Sequence, residues 1–107
     1  MKKKLLIILL FIIIFLIIII LFPISESQSQ VGKKIFINKG KCAACHTLSD
    51  ARSYSKIGPN LDYRKPSKSR VLMTVMEGAG AMPSLEGTLS KEEMEAVSEY
   101  VYQATKE

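Results

Sequence analysis

The feature that most constrains this chain is the pentapeptide Cys42-Ala43-Ala44-Cys45-His46, which contains its only two cysteines and its only histidine. Residues three apart share one face of a helical turn, so both thiols can reach one flat ligand. Two cysteines at this spacing, followed directly by histidine, are typical of covalent attachment of a c-type haem. The motif therefore predicts that Cys42 and Cys45 bond the porphyrin and that His46 ligates the iron.

Three other kinds of site also use paired cysteines. A redox dithiol of the thioredoxin type needs a βαβ setting, and no strand-like stretch precedes Cys42. A structural zinc site needs four ligands, whereas the cysteines and the histidine of this chain supply three. A disulfide stays open for an exported protein, although bridging cysteines three apart would close an unusually tight ring.

The amino-terminal end is a hydrophobic segment preceded by three lysines. Residues 5–22 are apolar throughout, and Pro23 follows them. At about 1.5 Å per residue, a helix of this length approaches the roughly 30 Å hydrocarbon core of a membrane. The lysines at positions 2–4 favour the cytoplasmic side, which sends the remaining chain across. Residues 1–24 are therefore predicted to be a signal peptide or a membrane anchor helix. The domain that follows would lie in the periplasm or on the outer face of the cytoplasmic membrane.

Removal of this segment stays open. The apolar run exceeds the usual 7–15 residues of a signal-peptide core and no Ala-x-Ala site follows it, which favours an uncleaved anchor. Small residues at Ser25 and Ser27 nevertheless suit cleavage. Because residues 25–30 are polar and include no apolar side chain, they predict a linker. The domain is then predicted over residues 31–107.

Charge and size restrict what this domain can do. Residues 28–107 hold 12 basic and 9 acidic side chains and no tryptophan. A domain of about 80 residues buries limited surface, so a large apolar cofactor would supply part of the core that it lacks. No dense basic run with interleaved aromatic side chains occurs, which argues against nucleic acid as a partner.

Apolar spacing and capping residues predict three helices in the domain. The first covers residues 31–41, the second follows a Ser67 cap and runs to residue 77, and the third follows a capping box formed by Ser90 and Glu93. Residues 47–66 are predicted to be irregular. The methionines at positions 73, 76 and 94 fall in helical patterns that favour core packing.

Two loop residues are candidates for the remaining contacts of the iron site. A metal-bound histidine usually donates its second ring N–H to an acceptor such as a carbonyl, which Pro59 or a neighbour can supply, with an ordinary loop proline as the alternative. Met82 lies in a segment of small residues, 78–83, that forms neither helix nor strand. Because His46 is the sole histidine, a thioether is the natural sixth iron ligand. Otherwise the iron is five-coordinate, or it takes water or a lysine.

Taken together, these residues resemble the class I cytochrome c family. The matching positions occur in the family's order over residues 30–105: Gly32, Phe36, the 42–46 motif, Gly58-Pro59-Asn60-Leu61, Ala81-Met82-Pro83 and Tyr100. The resemblance implies an all-α fold of three to four helices around one covalently bound haem, after an N-terminal hydrophobic helix. It also implies His46 and Met82 as axial ligands and the Pro59 carbonyl bonded to the histidine ring.

The resemblance further implies that Gly32 packs against Tyr100 where the first and last helices cross. Taken alone, the first helix predicts only a tolerated glycine at this position. No family tryptophan is present to hold a haem propionate. Tyr54, Asn60 and Arg64 are therefore only provisional choices as propionate donors.

The implied function is that of a monomeric single-haem carrier and not an enzyme. With haem c and its iron as the cofactor, it would pass one electron at a time between exported or membrane-bound redox partners, which dock transiently. A mildly basic rim of Lys39, Lys41, Lys56 and Lys65 is predicted to assist docking. Two alternatives are a haem subunit of a redox enzyme complex, such as a sulfur-oxidising one, and a gas sensor in which Met82 is displaced.

Overall fold

The computed structural model describes residues 1–23 and 25–106 of the chain. Within these residues five α-helices occur in the order α1 Lys2–Leu21, α2 Gln28–Ile37, α3 Leu61–Arg64, α4 Lys68–Glu77 and α5 Lys91–Thr105. The other regular elements are short strands β1 (Thr47–Leu48) and β2 (Ser53–Tyr54), which pair antiparallel, and 3-10 turns at Cys42–Ala44 and Ser49–Ala51. Helices α2–α5 confirm the predicted all-α class with four helices after an N-terminal apolar helix.

Helix α1 is long and apolar enough to cross a membrane. Its most apolar window of 18 residues has a mean hydropathy of 3.6, and none of the residues of the helix is buried. Because apolar side chains cover every face of the helix, water solvates it poorly along its length, and a bilayer is the environment that suits it. Pro23, which lacks a backbone N–H, follows two residues after the helix ends. The predicted signal or anchor helix is thus confirmed as a helix.

Helix α2 begins inside the segment that composition predicts to be a linker. Ser27 Oγ accepts a hydrogen bond from Gln30 N at 3.2 Å, and Gln30 Oε1 accepts one from Ser27 N at 3.2 Å. This reciprocal pair is a capping box, which satisfies two free donors at the helix start. The linker prediction is therefore wrong for residues 28–30, because their polar side chains belong to the cap and first turn of α2.

The end of α2 also differs from the prediction. The helix stops at Ile37, four residues before the predicted end at Lys41. Gly40 N donates a hydrogen bond to Ile35 O at 2.7 Å, which closes the last turn and redirects the chain. The four residues after α2 are thereby free to form the lead-in to the cysteine motif.

Helices α2 and α5 cross in close contact. A Cβ at Gly32 would lie 2.0 Å from Ala96 O and 2.6 Å from Tyr100 Cβ, so only glycine fits this approach. The Phe36 and Tyr100 rings meet edge to face, with centroids 5.8 Å apart. Such aromatic pairs stabilise a crossing beyond the area they bury. The crossing implied by the family resemblance is present, and the interpretation of Gly32 as a merely tolerated glycine is wrong.

The hydrophobic core lies among α2, α4 and α5. Its buried members are Ile35, Phe36, Leu48, Val75, Leu89, Met94, Ala96, Val97, Tyr100 and Val101. Met94 is buried as predicted, but Met73 and Met76 remain 51% and 36% exposed. At about 100° per residue, the inward face of α4 is centred between Val71 and Leu72, so Met73 points away from the core and Met76 to its flank. The core-packing prediction for these two methionines is wrong.

Candidate haem site

The cysteine motif forms one tight turn directly after α2. Lys41 enters the turn with a positive φ of 53°, and Cys42–Ala44 form a 3-10 turn. Cys45 N and His46 N both donate to Cys42 O, at 3.1 and 3.0 Å. Both cysteines are free thiols. The turn therefore places two available thiols and the imidazole within five consecutive residues of fixed backbone.

One nitrogen of the histidine ring is occupied by a hydrogen bond to the 58–59 turn. His46 Nδ1 lies 2.8 Å from Pro59 O. Because a carbonyl oxygen accepts only, Nδ1 must carry the proton and donate, which leaves the lone pair of Nε2 free. The Pro59 carbonyl thus lies where the sequence predicts it, and Nε2 is the ring atom available to a metal.

Gly58 sets how closely this turn approaches the ring. A Cβ at position 58 would lie 2.7 Å from His46 Cε1, closer than real Cβ atoms approach, and 3.0 Å from Nδ1, so the ring would have to shift. Gly58 N also donates to Cys45 O at 2.6 Å, which joins the turn to the motif. The need for glycine beside the ring could not be read from the sequence alone, where Gly58 marks only a turn.

Met82 sits in a turn that is closed by the backbone. Ala79 N donates to Met82 O at 3.0 Å, and Met82 N donates to Ala79 O at 2.9 Å. Gly78 and Gly80 supply the positive φ values, 78° and 58°, that this path requires. The two reciprocal hydrogen bonds close the turn, and residues 78–83 form neither helix nor strand, as the sequence predicts. The Met82 side chain is half-buried and packs against the core, as does Cys42.

The protonation state of Cys42 bears on the rival interpretations of the motif. Burial, opposed in part by a backbone hydrogen bond and reinforced by neighbouring Cys45, raises the pKa of the Cys42 thiol to about 11. Redox-active dithiols depend instead on a lowered thiol pKa. The described residues hold no group of three or more Cys, His, Asp or Glu side chains suited to a metal ion. Neither a thioredoxin-like dithiol nor a zinc site is favoured.

An acidic contact that the sequence does not predict secures the segment after His46. The Tyr100 hydroxyl donates to Asp50 Oδ2 at 2.7 Å, and Lys33 Nζ lies 3.3 Å from the same oxygen. Asp62 Oδ2 accepts from Ser49 N at 2.9 Å. Burial and the Asp50 carboxylate raise the pKa of the Tyr100 phenol. A buried tyrosine hydroxyl usually has a hydrogen-bond partner, but Asp50 and Tyr100 lie too far apart in sequence for a local pattern to identify the pair.

Asp50→Asn is expected to destabilise the domain in a pH-dependent way. The Tyr100 hydroxyl, with Lys33, holds the pKa of Asp50 below its usual value. Ionised Asp50 therefore stabilises the fold above its unfolded pKa of about 4, and this contribution is lost as the pH falls through the lower native value. For a half-exposed carboxylate we expect a loss of about 1 kcal/mol at pH 7. Denaturant unfolding of both proteins from pH 7 down to about 3 measures the difference, which should shrink on acidification.

Glu86→Gln is the matched control for this prediction. Glu86 is exposed and forms no ion pair within residues 1–23 and 25–106. Its replacement should leave the unfolding free energy unchanged across the same pH range. An Asp50→Asn protein as stable as the parent at pH 7 would contradict a stabilising role for this contact.

One of the minor sequence predictions needs correction. Lys39 does not lie free on a basic rim, because its ammonium contacts both Glu93 carboxylate oxygens at 2.7 and 2.9 Å. The Asn60 side-chain oxygen caps α3 by accepting from Tyr63 N at 3.1 Å, a contact that does not use the amide nitrogen with which Asn60 would donate to a propionate. Tyr54 and Arg64 are exposed, and nothing in their surroundings singles them out as propionate donors.

The residues at this site fit a covalently bound haem. The 42–46 turn offers two free thiols on one short element, and the hydrogen bond to Pro59 leaves a single ring nitrogen with an available lone pair. Because Gly58 has no side chain, the 58–59 turn lies against the imidazole without a steric clash. Imidazole and thioether are both ligands that haem iron accepts. The donor set therefore matches the chemistry of the cofactor.

Comparison with known proteins identifies the family. Residues 27–101 match the family described as "Cytochrome C oxidase, cbb3-type, subunit III". The chain is 36% identical over 74 residues to cytochrome c6 of Microcystis aeruginosa, an alignment that covers 65% of this chain and 89% of that protein. It is 34% identical over 82 residues to cytochrome c6 of Tetradesmus obliquus, covering 67% and 85% respectively.

A solved structure is similar over almost its whole length. The c-type cytochrome SorU from Sinorhizobium meliloti matches with a TM-score of 0.71 and 42% identity, covering 76% of this chain and 94% of that one. Sequence and fold therefore agree on one assignment. The chain belongs to the family of small class I c-type cytochromes, haem-binding electron carriers that hold one covalent haem c.

Proposed function

We propose that this protein is a membrane-anchored carrier that passes one electron at a time between redox proteins, with His46 and Met82 as the two axial ligands of its haem iron. The observation that carries the proposal is the hydrogen bond between His46 Nδ1 and Pro59 O at 2.8 Å. It fixes the tautomer and leaves Nε2 as the ligating atom. The haem iron supplies the chemistry, reversible change between Fe(III) and Fe(II).

The His46 ring is held in place by the 58–59 turn. The Pro59 carbonyl orients the ring and increases its basicity, as carbonyl partners of metal-bound histidines do. Gly58 lies directly against the ring and is itself tied to Cys45 O. A ring so restrained reorganises little when the charge of the metal changes, which favours fast electron exchange.

Met82 is the candidate for the second axial position. It is the one methionine of the domain that lies outside a helix, and its turn is closed by two backbone hydrogen bonds to Ala79. A thioether favours the ferrous state and raises the reduction potential. With imidazole and thioether both bound, the iron would have no position left for a substrate, which supports a carrier over an enzyme.

Met82→Ala is the experiment that tests this ligation. Loss of the thioether should remove the weak sulfur-to-iron absorption band at the far-red end of the ferric spectrum. It should also lower the reduction potential by more than about 60 mV, the tenfold change for a one-electron couple. Optical spectroscopy and a potentiometric titration of the haem-loaded protein measure both effects.

Met73→Ala is the matched control for Met82→Ala. Met73 also carries a thioether but is 51% exposed on the outer side of α4. Its loss should leave the absorption band and the potential unchanged. Survival of the band in Met82→Ala, with its loss in Met73→Ala or Met76→Ala, would reassign the axial ligand.

The alternative role as a haem subunit of a redox enzyme gains no support from a specific observation. Among the described residues, no insertion or additional domain accompanies helices α2–α5. A gas sensor would require Met82 to leave the iron readily, and the closed 79–82 turn argues for a fixed ligand. Fractionation supplies a direct test of the anchor, since an uncleaved α1 retains the haem protein in salt-washed membranes.

A further inference from the structure

We propose that the hydroxyl of Ser84 holds Met82 in its axial position and thereby sets how readily an external ligand replaces Met82 on the iron. This inference rests on the proposed function, and it makes Ser84 a positioning residue of the same site. Ser84 lies two residues after Met82 and is exposed. Its hydroxyl donates a hydrogen bond to Met76 O in the last turn of α4. The chain is therefore tied back to the helix directly after the candidate ligand.

The carboxyl end of α4 takes its hydrogen-bond donors from the residues that follow Met82. The last carbonyl groups of an α-helix have no partner within the helix and need one from elsewhere. Here Val75 O accepts from Leu85 N at 2.9 Å, and Met76 O accepts from the Ser84 hydroxyl. Two consecutive residues thus complete the helix end. In return, the end of α4 fixes the position of the chain beyond Met82.

Residues 78–84 form a short loop, here called the methionine loop, whose two ends meet at the end of α4. A Cβ at Gly78 would lie 2.8 Å from both Met82 O and Ser84 N, so the backbone at the two ends of the loop is in direct contact. Between the ends, the two hydrogen bonds with Ala79 hold Met82 in its turn. A displacement of the Met82 backbone from the core must therefore strain or break the contacts that close the methionine loop.

The Ser84 hydroxyl is the closing contact that depends on a particular side chain. In the part of the chain that the structure describes, it is the one side-chain group of the methionine loop that forms a hydrogen bond to α4. Leu85 contributes its backbone N–H, which most residues would supply. The same Ser84 oxygen also accepts from Glu86 N at 3.3 Å, since a hydroxyl both donates and accepts. Alanine at position 84 would lose both contacts.

The consequence for the site is a sixth iron position that stays closed. A small external ligand binds only while Met82 is away from the iron, so its rate of binding follows the opening of the methionine loop. Loss of one neutral hydrogen bond from the closed loop shifts an opening equilibrium about fivefold. The Ser84 hydroxyl therefore favours an iron that exchanges electrons without exchanging ligands, and its removal moves the site toward a haem that accepts external ligands.

Ligand exchange with imidazole tests this role. Full-length, haem-loaded protein in detergent is oxidised and mixed with saturating imidazole, a nitrogen ligand of the kind that haem iron accepts. The loss of the far-red absorption band is followed in time, so that its rate reports how often Met82 leaves the iron. We expect Ser84→Ala to exchange about fivefold faster than the parent. Ser84→Thr retains the hydroxyl on an exposed side chain, and it should exchange at the parental rate.

Ser98→Ala is the matched control for a general loss of stability. It makes the same chemical change, because the Ser98 hydroxyl also donates to a helix carbonyl, Met94 O at 2.7 Å, but it does so in the buried interior of α5. Its imidazole exchange should keep the parental rate, whatever happens to its unfolding midpoint. Heating gives a second comparison: in Ser84→Ala the far-red band should disappear further below the loss of helical circular dichroism than in the parent.

The outcomes separate this inference from the proposed function. A parental exchange rate in Ser84→Ala would overturn the role of Ser84, and so would an equal acceleration in Ser98→Ala or in Ser84→Thr. A parent without the far-red band, or a band that survives in Met82→Ala, would instead count against the axial ligation itself. A band that depends on Met82, together with an exchange rate that does not depend on Ser84, would leave the ligation standing and overturn only the positioning role.

Discussion

Protein in which both cysteines are replaced, Cys42→Ala with Cys45→Ala, is expected to lose all covalently attached haem. The two thiols are the only cysteines of the chain, so no other side chain can form a thioether to the porphyrin. His46 and the Pro59 carbonyl would remain, and any haem they retained would be held by coordination alone. Haem staining of the protein after denaturing electrophoresis measures the loss, because denaturation strips non-covalent haem.

The single cysteine replacements are expected to give an intermediate result. Cys42→Ala or Cys45→Ala alone leaves one possible thioether, so each should still stain, with a shifted absorption maximum. Ala44→Ser is the control for a disturbed turn, since Ala44 is the exposed residue between the cysteines. It should stain fully. Haem staining that persists in the double variant would contradict covalent attachment through this motif.

Helix-capping residues in the sequence correctly predicted where part of the fold begins. The Ser67 and Ser90 caps predict the starts of α4 and α5, and both serines accept the expected backbone hydrogen bonds. The same kind of signal at Ser27 was hidden, because Ser27 and Gln30 lie in a polar segment whose composition resembles a linker. A capping box and a linker share residue types, and only the following apolar face distinguishes them.

Predictions failed where tertiary packing determines the exposure or the partner of a side chain. Met73 and Met76 have the hydrophobicity of core residues, but the rotation of α4 against α5 turns them outward. The contact between Asp50 and Tyr100 joins residues 50 positions apart, and no local pattern reports such a pair. At the haem site the predicted contact that the structure shows is the one between His46 Nδ1 and Pro59 O, which the family pattern supplied.

Gly32→Ala is expected to be the most destabilising small substitution in the domain. The added Cβ would lie 2.0 Å from the Ala96 carbonyl oxygen and 2.6 Å from Tyr100 Cβ. The first of these neighbours is helix backbone, which cannot rotate away as a flexible side chain would. Helices α2 and α5 would have to separate by more than 1 Å, about the difference from ordinary contact, which loosens the Phe36–Tyr100 pair as well.

Overpacking of this kind costs about 3 kcal/mol or more, despite the gain in helix propensity on leaving glycine. For a domain of about 80 residues such a loss lowers the melting temperature by more than about 10 °C. Thermal unfolding of the haem-loaded protein measures it, with Gly87→Ala as the control. A Cβ at Gly87 meets nothing within 4 Å, so that variant should melt at or slightly above the parental temperature. Equal melting of the two variants would show that the crossing can relax, and would contradict the requirement for glycine at position 32.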